Sequence, residues 1–564
     1  MSSITIKIAD ETDRQQIYRI RHEVYAKELH QHEENQEQLL RDNLDDFNTY
    51  IVVKMDGNIS GFVSITPPNG KYGLDKYIGR EKYPFLYDNM YEGRLFTVLP
   101  EYRTGCTALL LFFSAFRYAE EHRGDKIMTI GRIDLVDFYK KTGLIDLGET
   151  IHSGEVDFRL MYAKVSDLRK NCAHLEKILK RYLPKIDNRL PFPLLPESRC
   201  YHGGQFFEAI GSDFSTLEKS REIINADVLD AWFDPSPRVT AALEEYLPWA
   251  VKTSPPTHSE GLVRTISETR GIARENVLAG GGSSGLMYLA FPRLLKDSAK
   301  VLLLNPTYGE YEFIFRNLLH ARIDRFALRR EENYRFDLER LIETLHKNQY
   351  DLFVIVNPNN PTGQYLSREQ MEQLVEAVPK STLLWIDETY IEYTGPSASM
   401  ERKAAASENV IVCKSMSKVY ALSGMRCAYL AANAEIIRGL SLYSPPWAVS
   451  LPAQIAAVNA LQDAGYYEAC WRKTEENRRR LAEVLSENEG LKIFPGVINA
   501  VLCELPQTVE KKRLISRCME NRLYIRDVSN MGSGWNEQAI RIAVKDEETN
   551  QRIAEIFHKV YYTK

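Results

Sequence analysis

Hydrophobic and polar positions form two separate α/β series along the chain. In residues 1–165, strand-like runs alternate with segments of helical apolar period, and these runs are TYIVVKM, GFVSITP, GRLFTVLP, KIMTIGR and DFRLMYAKV. A second and longer series occupies residues 201–564. Between them, residues 166–200 begin with a helical period and end in LPFPLLPESRC, whose three prolines exclude a continued helix. We predict two fused α/β units joined by a helical, proline-rich linker.

The apolar runs of the second series are short and continuous: VLLLNP, LFVIVNP, TLLWIDE, VIVCKS and CAYLAA. Such runs suit strands of a mostly parallel sheet that helices cover on both faces. Polar residues cluster where the runs end, in NPTY, NPNNPTG, DETY and KSMSK. Ligands of open α/β sheets bind outside the carboxyl ends of the strands. We therefore predict that these segments converge on one site, although they lie far apart in the sequence.

Composition fits a globular protein and argues against several classes of function. The 564 residues suggest about three or four folding modules of roughly 150 residues each. Hydrophobic residues make up 44% and charged residues 26%, and the formal net charge is -5, so the electrostatic footprint of a nucleic-acid binder is missing. The eight cysteines form neither a C-x-x-C pair nor a His/Cys cluster, so we predict no metal site and no disulfide framework.

The sequence also predicts a protein that does not enter a membrane. Its first residues lack a charged and then apolar leader. The longest apolar run, ALLLFFSAF, is too short to span a bilayer. A reducing cytoplasm is the predicted location.

The polar residues at the predicted strand ends suggest a phosphorylated, pyridine-like ligand. Asp387 follows the apolar run TLLWI, and a buried acid needs a partner such as a protonated heterocyclic nitrogen to stay charged. Lys418 follows a strand directly, and its amine can form a Schiff base where the site lowers its pKa. Hydroxyls of Ser415 and Ser417, the Arg426 guanidinium and the backbone amides of GGGSSG (280–285) offer a phosphate cradle. Pyridoxal phosphate matches all of these groups.

Residues from about 200 to 564 resemble the fold-type I pyridoxal-phosphate aminotransferases, in the branch of the histidinol-phosphate aminotransferases. The segments that carry the resemblance are NPNNPTG (357–363), DETYIEY (387–393) and SMSKVYALSGMRCAYL (415–430). The resemblance implies a large domain of about residues 245–450 with a mostly parallel seven-stranded sheet. It also implies a small α/β domain from about 201–244 and 451–564, and a homodimer, because such sites are usually completed by a partner subunit.

The resemblance assigns roles to individual residues. Lys418 would be the Schiff-base lysine and proton shuttle, Asp387 would pair with the pyridine nitrogen, Asn360 and Tyr390 would contact the ring oxygen, and Tyr308 would stack on the ring. Lys418, Asp387 and Tyr390 form the expected catalytic set. The phosphate would be held by Gly282, Ser283, Ser284, Ser415, Ser417 and Arg426. Arg541, in AIRIAV, matches the arginine that clamps the substrate's α-carboxylate.

One segment departs from the family and leaves the reaction open. Histidinol-phosphate aminotransferases commonly have NPYGPSP where this chain has AWFDPSP, so Phe233 stands at the position of a tyrosine that reaches the neighbouring subunit's cofactor phosphate. Trp232, with NADVLD upstream of it, and Trp447 in SPPWAVS are predicted walls of a reshaped substrate entrance. The predicted substrate is therefore an amino acid and not histidinol phosphate. Transamination is the leading reaction, and decarboxylation, β- or γ-elimination or carbon-carbon bond formation on an amino acid such as S-adenosylmethionine is the alternative.

The first unit suggests a different chemistry. FTVLPEYRTGCTALLLFFSAF leads from a strand through a polar turn into an apolar helix, whose first amides can face a pyrophosphate, and DFYKKTGL precedes a later strand. Together these segments resemble the GNAT-type N-acetyltransferase fold, a mixed-sheet domain, including relatives that resemble acyl-homoserine-lactone synthases and N-acyl amino acid synthases. The resemblance implies an acyl-coenzyme A or acyl-carrier-protein thioester as co-substrate, bound at the turn after the fourth strand.

The acyl-donor site is only partly matched. The usual pattern is Arg/Gln-x-x-Gly-x-Gly/Ala, whereas here Arg103 is followed three residues later by Cys106, and Gly105 stands one place early. Tyr139 lies near the position of a tyrosine that protonates the leaving thiolate in the family, and Glu92 is a weak candidate for a base. We interpret the chain as an acyltransferase fused to a pyridoxal-phosphate enzyme in specialised small-molecule biosynthesis. A degenerate first unit that serves only as a scaffold is the alternative, and Cys106 motivates it.

Overall fold

The structure is a computed structural model that describes residues 4–68, 71–87, 89–122, 124–165, 167–168, 172–195, 202–211, 213–296 and 298–563. It divides into two compact units, Met1–Ser198 and Arg199–Lys564. Parts of the predicted linker, residues 166, 169–171 and 196–200, lie outside the described residues.

Within the described residues, the first unit is built on a sheet of eight strands in the order β6-β7-β5-β4-β3-β2-β1-β8. The strands are β1 (Ile4–Ile8), β2 (Thr49–Met55), β3 (Asn58–Thr66), β4 (Met90–Val98), β5 (Lys126–Arg132), β6 (Ile145–Ser153), β7 (Val156–Lys164) and β8 (Ile186–Asn188). The helices are α1 (Glu11–Arg21), α2 (Thr107–Glu121), α3 (Val136–Lys141) and α4 (Ala173–Leu179). The five predicted strands correspond to β2, β3, β4, β5 and β7.

The first sheet is mixed, and two of its strands diverge. Neighbouring strands are antiparallel except for the parallel pairs β4–β5 and β1–β8. In the described part of the chain, β4 pairs with β5 only over Met90–Gly93, although β4 continues beside β3 to Val98. Leu95 has a φ of 51°, at a register shift between β3 and β4. The two central strands therefore open beyond Gly93, towards the end of the sheet where α2 begins.

Part of the predicted linker packs into the first unit. Residues Leu179, Leu190 and Phe192 belong to the same buried cluster as α2. Ile186 pairs with Ile4, so β8 extends the sheet at its β1 edge. Helix α4 ends at Leu179, before the proline-rich sequence begins at Leu190, and the leucines and phenylalanine of that sequence bury apolar area against the unit.

The second unit contains, among its described residues, a seven-stranded sheet in the order β10-β16-β15-β14-β13-β11-β12 and a five-stranded sheet in the order β17-β18-β20-β19-β9. The strands are β9 (Ile224–Ala226), β10 (Val277–Gly280), β11 (Lys300–Asn305), β12 (Arg322–Ala327), β13 (Leu352–Val356), β14 (Leu383–Asp387), β15 (Val410–Ser415), β16 (Ala428–Ala432), β17 (Lys492–Phe494), β18 (Ala500–Glu504), β19 (Leu523–Asp527) and β20 (Ala539–Ala543). In the larger sheet β11 to β15 run parallel, and β16 is antiparallel to both of its neighbours.

Helices of the second unit surround these sheets. They are α5 (Phe206–Ile210), α6 (Pro237–Lys252), α7 (Glu260–Arg270), α8 (Ser283–Leu294), α9 (Gly309–Phe313), α10 (Leu338–Lys347), α11 (Arg368–Ala377), α12 (Glu401–Ala405), α13 (Ala434–Ser441), α14 (Leu451–Leu461), α15 (Ala464–Leu485), α16 (Lys511–Glu520) and α17 (Glu547–Tyr562). Alternate residues of one strand enter different cores: Leu384 and Ile386 lie in one buried cluster and Trp385 in another. Burial on both faces explains why these strands are continuously apolar.

A buried network of charges lies beneath the carboxyl ends of β14 and β15. Lys414 Nζ lies 2.6 Å from a carboxylate oxygen of Glu392 and 3.6 Å from one of Glu388. Arg270 pairs with Glu392 at 3.2 Å and with Glu401 at 3.7 Å. Three acids thus share two bases in a buried volume. Burial raises the pKa of Glu388 to about 7, with Glu401 adding to the effect and Lys414 opposing it.

We expect Glu388→Gln to make the second unit less sensitive to alkaline pH. The pKa of Glu388 is raised in the folded state, so its contribution to stability is full below pH 4.5 and is lost as the pH rises through about 7. This loss is on the order of 3 kcal/mol in the free energy of unfolding, and a permanently neutral Gln avoids it. The measurement is denaturant unfolding at pH 5 and pH 8 by tryptophan fluorescence, because all six tryptophans lie in the second unit.

Glu401→Gln in the same network is the matched control. Its pKa shift, and so its expected effect on stability at pH 8, is opposite to that of Glu388. Burial alone would raise the pKa of Glu401, but Arg270 and Lys414 outweigh it, and the pKa is lowered. Removing this charge should therefore reduce stability at pH 8. An equal loss of stability at pH 8 in both variants would contradict the prediction.

Candidate active site

A cavity of about 320 Å³ lies at the carboxyl ends of the parallel strands of the larger sheet. Residues predicted for the site that line it are Ser283, Ser284, Tyr308, Asn360, Asp387, Tyr390, Ser415, Ser417, Lys418, Arg426 and Arg541. They come from α8, from the segments after β11, β13, β14 and β15, and from β20. The structure thus brings together segments that are far apart in the sequence, as the rule for open α/β sheets predicts.

Lys418 lies three residues after β15, where it faces the cavity with a buried stem. Its Nζ donates to Asp230 Oδ1 at 2.8 Å and to Ser423 Oγ at 3.5 Å. Burial lowers the pKa of Lys418; Asp230 opposes this shift, while Arg541 and Arg426 add to it. The amine is therefore disposed to lose its proton, as a nucleophile must.

Asp387 ends β14 and is only 4% exposed. Its Oδ2 accepts a hydrogen bond from the Tyr311 hydroxyl at 2.6 Å, and its Oδ1 accepts from the backbone N and the Oγ of Thr389 at 3.0 and 2.6 Å. Burial raises the pKa of Asp387, and the bonds from Thr389 and Tyr311 counteract the rise because they stabilise the charged form. Such a carboxylate suits a cationic ligand group.

Backbone amides, hydroxyls and a guanidinium meet at the start of α8. Ser283 and Ser284 open this helix after Gly282, whose φ of 91° favours glycine. A Cβ at Gly282 would also collide with the Arg426 guanidinium. Arg426 Nη1 donates to Ser417 Oγ at 3.4 Å. The helix N-terminus and Arg426 together form the donor set that a phosphate dianion requires.

Arg541 provides a second cationic centre in the cavity. Its Nη1 donates to Asn360 Oδ1 at 2.6 Å and its Nη2 to the backbone oxygen of Asp227 at 2.8 Å. Among the described residues, its buried Nε has no hydrogen-bond partner. Burial lowers the pKa of Arg541 to about 10. A buried guanidinium with an unused donor in a cavity fits an anionic ligand such as a carboxylate.

Several residues at or near the cavity were not predicted. His202, Thr389, Arg526 and Met531 line it, and Lys545 lies next to Lys418. The segment NADVLD (225–230), which we place at the substrate entrance, lies at the site, since Val228 and Leu229 line the cavity and Asp230 accepts from Lys418. Burial lowers the pKa of Lys545 to about 8. Arg526 of β19 is paired with Arg541 of β20 in the sheet register. The sequence feature that could have identified Arg526 is therefore an arginine on a strand next to the one that carries Arg541.

Three residues predicted to shape the substrate entrance are not among those that line the cavity. Trp232 donates its ring N–H to Thr474 Oγ at 2.8 Å, and Phe233 is buried against Tyr467. Trp447 is 54% exposed. These aromatic rings pack or face solvent around α14 and α15, and their contact with a substrate stays a prediction.

The predicted acyl-donor residues lie around the start of α2 and near the end of β5. Arg103 is exposed and reaches Glu28, and Cys106 is the buried residue before α2. Tyr139, on α3, is fully buried beside Gly131 and Phe96, and burial raises its pKa. Glu92 of β4 is buried and accepts hydrogen bonds from the backbone N of Gly73 and of Leu74. Burial raises the pKa of Glu92 to about 7.

In the part of the chain that the structure describes, no three or more His, Cys, Asp or Glu side chains come together in a way that could hold a metal ion. None of the described helices combines the length and the apolar character needed to cross a bilayer.

Comparison with known proteins connects the second unit to one family. The family profile for aminotransferase class I and II matches residues 225–557. Histidinol-phosphate aminotransferase 2 of Archaeoglobus fulgidus is 30% identical over 341 residues, which cover 60% of this chain and 94% of that protein.

Solved structures show the same fold. The histidinol-phosphate aminotransferase of Sinorhizobium meliloti, in complex with pyridoxal-5'-phosphate, superposes with a TM-score of 0.58 at 21% identity, over 66% of this chain and 97% of that one. The L-threonine-O-3-phosphate decarboxylase of Porphyromonas gingivalis has a TM-score of 0.53 at 21% identity, over 60% of this chain and all of that one (100%).

Proposed function

The chain belongs to the class I and II aminotransferase family of pyridoxal-phosphate enzymes, and from this membership we propose that its second unit moves the amino group of an α-amino acid. One observation carries the proposal: Lys418, Asp387, Arg426 and Arg541 line the same buried cavity. Lys418 supplies a nucleophilic amine and Asp387 a buried anion. Arg426 and Arg541 supply two cationic sites for anions.

The residues present fit the cofactor group by group. Ser283, Ser284, Ser415, Ser417 and Arg426 would hold the phosphate, Asp387 the ring nitrogen, and Asn360 and Tyr390 the ring oxygen, with Tyr308 against the ring. Two features of this chain support the assignment. Gly282 has no side chain, so the Arg426 guanidinium can lie where a Cβ would collide with it, and Asp387 is buried without a cation among its hydrogen-bond partners.

When bound, pyridoxal phosphate supplies an aldehyde and an electron-withdrawing ring that stabilises negative charge at the substrate's α-carbon. Lys418 would hold the cofactor covalently through its Nζ, and the same amine would carry a proton to and from the substrate's α-carbon. Its lowered pKa suits both roles. Asp230, 2.8 Å away, holds the amine in place when it is protonated. Arg541 would bind the α-carboxylate and orient the C–H bond towards Lys418.

We expect Arg541→Lys to lower kcat/KM for an amino acid about 100-fold. The substitution keeps a positive charge but removes the planar fork of donors, and hydrogen bonds between charged groups contribute roughly 1.5–3 kcal/mol each. The matched substrate is the amine that lacks the carboxylate. Steady-state kinetics should show equal kcat/KM for this amine in wild type and variant. A 100-fold loss with the amine as well would contradict the assigned role.

Transamination and lyase chemistry differ in their products. Transamination of an amino acid in a single turnover yields a keto acid and pyridoxamine phosphate in equal amounts. The lyase alternative rests on Phe233, which carries no hydroxyl where the relatives commonly have one, and predicts carbon dioxide or a leaving group without pyridoxamine. The experiment is mass spectrometry of products after single turnovers of the purified protein with a panel of amino acids.

We propose that the first unit is an acyltransferase that uses an acyl-coenzyme A or acyl-carrier thioester. The supporting features are the opening between β4 and β5, the start of α2 at that opening, and the buried Tyr139 and Glu92. Titration calorimetry of the full chain with acyl-coenzyme A and with an acylated carrier protein tests it. If neither thioester binds, the result favours the alternative in which the first unit serves only as a scaffold. Cys106, in place of the glycine of the usual pattern, supports that alternative.

We also propose a homodimer and a reducing compartment. The apolar residues Tyr246, Trp249 and Val251 on α6, and Leu442 and Tyr443 after α13, are exposed, which is typical of a surface that a partner covers. The seven cysteines in the described residues are all free thiols. Sedimentation equilibrium would show a mass near twice 64.9 kDa for a dimer.

A further inference from the structure

A chain of two hydrogen bonds lies behind Asp387, on the side away from the cavity. The ring N–H of Trp385 donates to the Tyr311 hydroxyl oxygen at 3.1 Å, and the Tyr311 hydroxyl donates to Asp387 Oδ2 at 2.6 Å. Trp385 and Asp387 are two residues apart on β14, so both side chains leave the same face of the strand. Tyr311 comes from α9, after β11. The Tyr311 hydroxyl therefore connects the side chains of two β14 residues, although Tyr311 itself belongs to α9.

The hydroxyl of Tyr311 has a specific role that packing alone does not explain. Its ring packs against Phe291 and Tyr308, and a phenylalanine would make these contacts equally well. A buried hydroxyl is costly unless it is hydrogen-bonded. Here the hydroxyl accepts from Trp385 and donates to Asp387, so its orientation is fixed and its proton points at a carboxylate oxygen.

The bond favours the ionised form of Asp387. A hydrogen bond donated to a carboxylate stabilises its charge, and Tyr311 and Thr389 together supply three donors to its two oxygens. This stabilisation acts against burial, which on its own raises the pKa of Asp387. Without these donated hydrogen bonds, a proton shared between Asp387 and a basic ring nitrogen would shift towards the carboxylate.

We propose that Tyr311 is a positioning residue that acts through Asp387, because its hydroxyl holds this carboxylate in the orientation and the charge state that pair with a protonated ring nitrogen. Trp385 in turn orients the Tyr311 hydroxyl. The inference rests on the proposed function, in which Asp387 binds the pyridine nitrogen. It predicts that Tyr311 affects the step that places negative charge at the α-carbon and leaves substrate binding unchanged.

The test is Tyr311→Phe, compared with Tyr429→Phe as the matched control. Tyr429 is also buried and donates to a buried carboxylate, Glu401, at 2.6 Å, but it does not line the cavity. Each variant loses two hydrogen bonds: Tyr311→Phe those with Asp387 and Trp385, and Tyr429→Phe those with Glu401 and Arg270. We expect Tyr311→Phe to lower kcat about 10–100-fold with KM unchanged, and to raise the kinetic isotope effect of a substrate deuterated at the α-carbon. Tyr429→Phe should leave kcat and the isotope effect unchanged.

A cofactor analogue isolates the path through the ring nitrogen. In pyridoxal phosphate whose ring nitrogen is replaced by carbon, Asp387 has no proton to pair with, so wild type and Tyr311→Phe should turn over equally slowly. A 10-fold or larger difference with this analogue would overturn the proposal, as would an unchanged kcat with the natural cofactor. If Tyr311→Phe does not fold, Trp385→Phe decides: it should lower kcat a few fold with KM unchanged, and an unchanged kcat would overturn the proposal.

Failure of the inference differs from failure of the proposed function. If wild type forms a borohydride-stable adduct on Lys418 and turns over, but Tyr311→Phe is as fast, only the role of Tyr311 is overturned. If wild type forms no such adduct, the proposed function fails, and the role of Tyr311 fails with it.

Discussion

Lys418→Ala will lower kcat by at least about 10³-fold and abolish covalent attachment of pyridoxal phosphate. The substitution removes both the nucleophile and the acid–base group, and general acid–base catalysis alone contributes roughly 10²–10⁴-fold. The groups that accept hydrogen bonds from Nζ are the Asp230 carboxylate and the Ser423 hydroxyl, and neither is an amine that could form a Schiff base in its place. The measurements are kcat and peptide mass spectrometry after borohydride reduction.

Two controls make the Lys418 result specific. Lys545→Met removes a second lysine close to Asp230, the pKa of Lys545 also being lowered, and the adduct should remain on Lys418. A small primary amine added to Lys418→Ala should restore part of the activity, because only an amine is missing. A reduced adduct on any other side chain in the wild type would refute the assignment.

Asp387→Asn is expected to lower kcat by about 10²–10⁴-fold. Removing one partner of a buried, hydrogen-bonded charge pair costs about 3–5 kcal/mol, which corresponds to this range in rate. The amide keeps the size and can accept from Tyr311, but it carries no charge to hold a proton on the ring nitrogen. Single-turnover rates with an α-deuterated substrate measure the effect at the proton-transfer step.

The adjacent acid provides the control for Asp387. Glu388 is the next residue, yet its side chain points into the buried charge network and accepts from the backbone N of Met400. Glu388→Gln should therefore leave kcat within about 2-fold. With the cofactor analogue that lacks a ring nitrogen, Asp387→Asn and wild type should have the same rate. If Asp387→Asn is slower with the analogue as well, the carboxylate acts in some other way.

Much of the second unit was predictable because its strands are continuous apolar runs in the sequence. Continuous apolar runs such as LFVIVNP and TLLWIDE are buried on both faces, and the topology of parallel strands brings their polar ends to one edge. Asp387 and Lys418 could thus be placed at one site from the sequence. Their catalytic roles stay predictions.

What the sequence did not predict depends on contacts between distant segments. Asp230 meets Lys418, and Tyr311 meets Asp387, across long stretches of chain, and nothing local in NADVLD or YGEYEF marks these pairs. In the first unit β6, which follows DFYKKTGL, is not among the apolar runs of the sequence because IDLGETIHS is mostly polar and half exposed. The β8 strand was assigned to a linker, since IDN pairs through its backbone and carries no apolar alternation.

The residues that line the cavity are far apart in the sequence, and this has a consequence for the synthesis of the protein on the ribosome. Its walls combine the segment around Val228 with Arg541 on β20, so a nascent chain has no complete active-site cavity until the last strand has left the ribosome. The first unit, by contrast, spans Met1–Ser198 and precedes all of these residues. Domains emerge and fold in order during translation. Completion of the cavity should therefore be a late step in the maturation of the second unit, after the whole of the first unit has been synthesised.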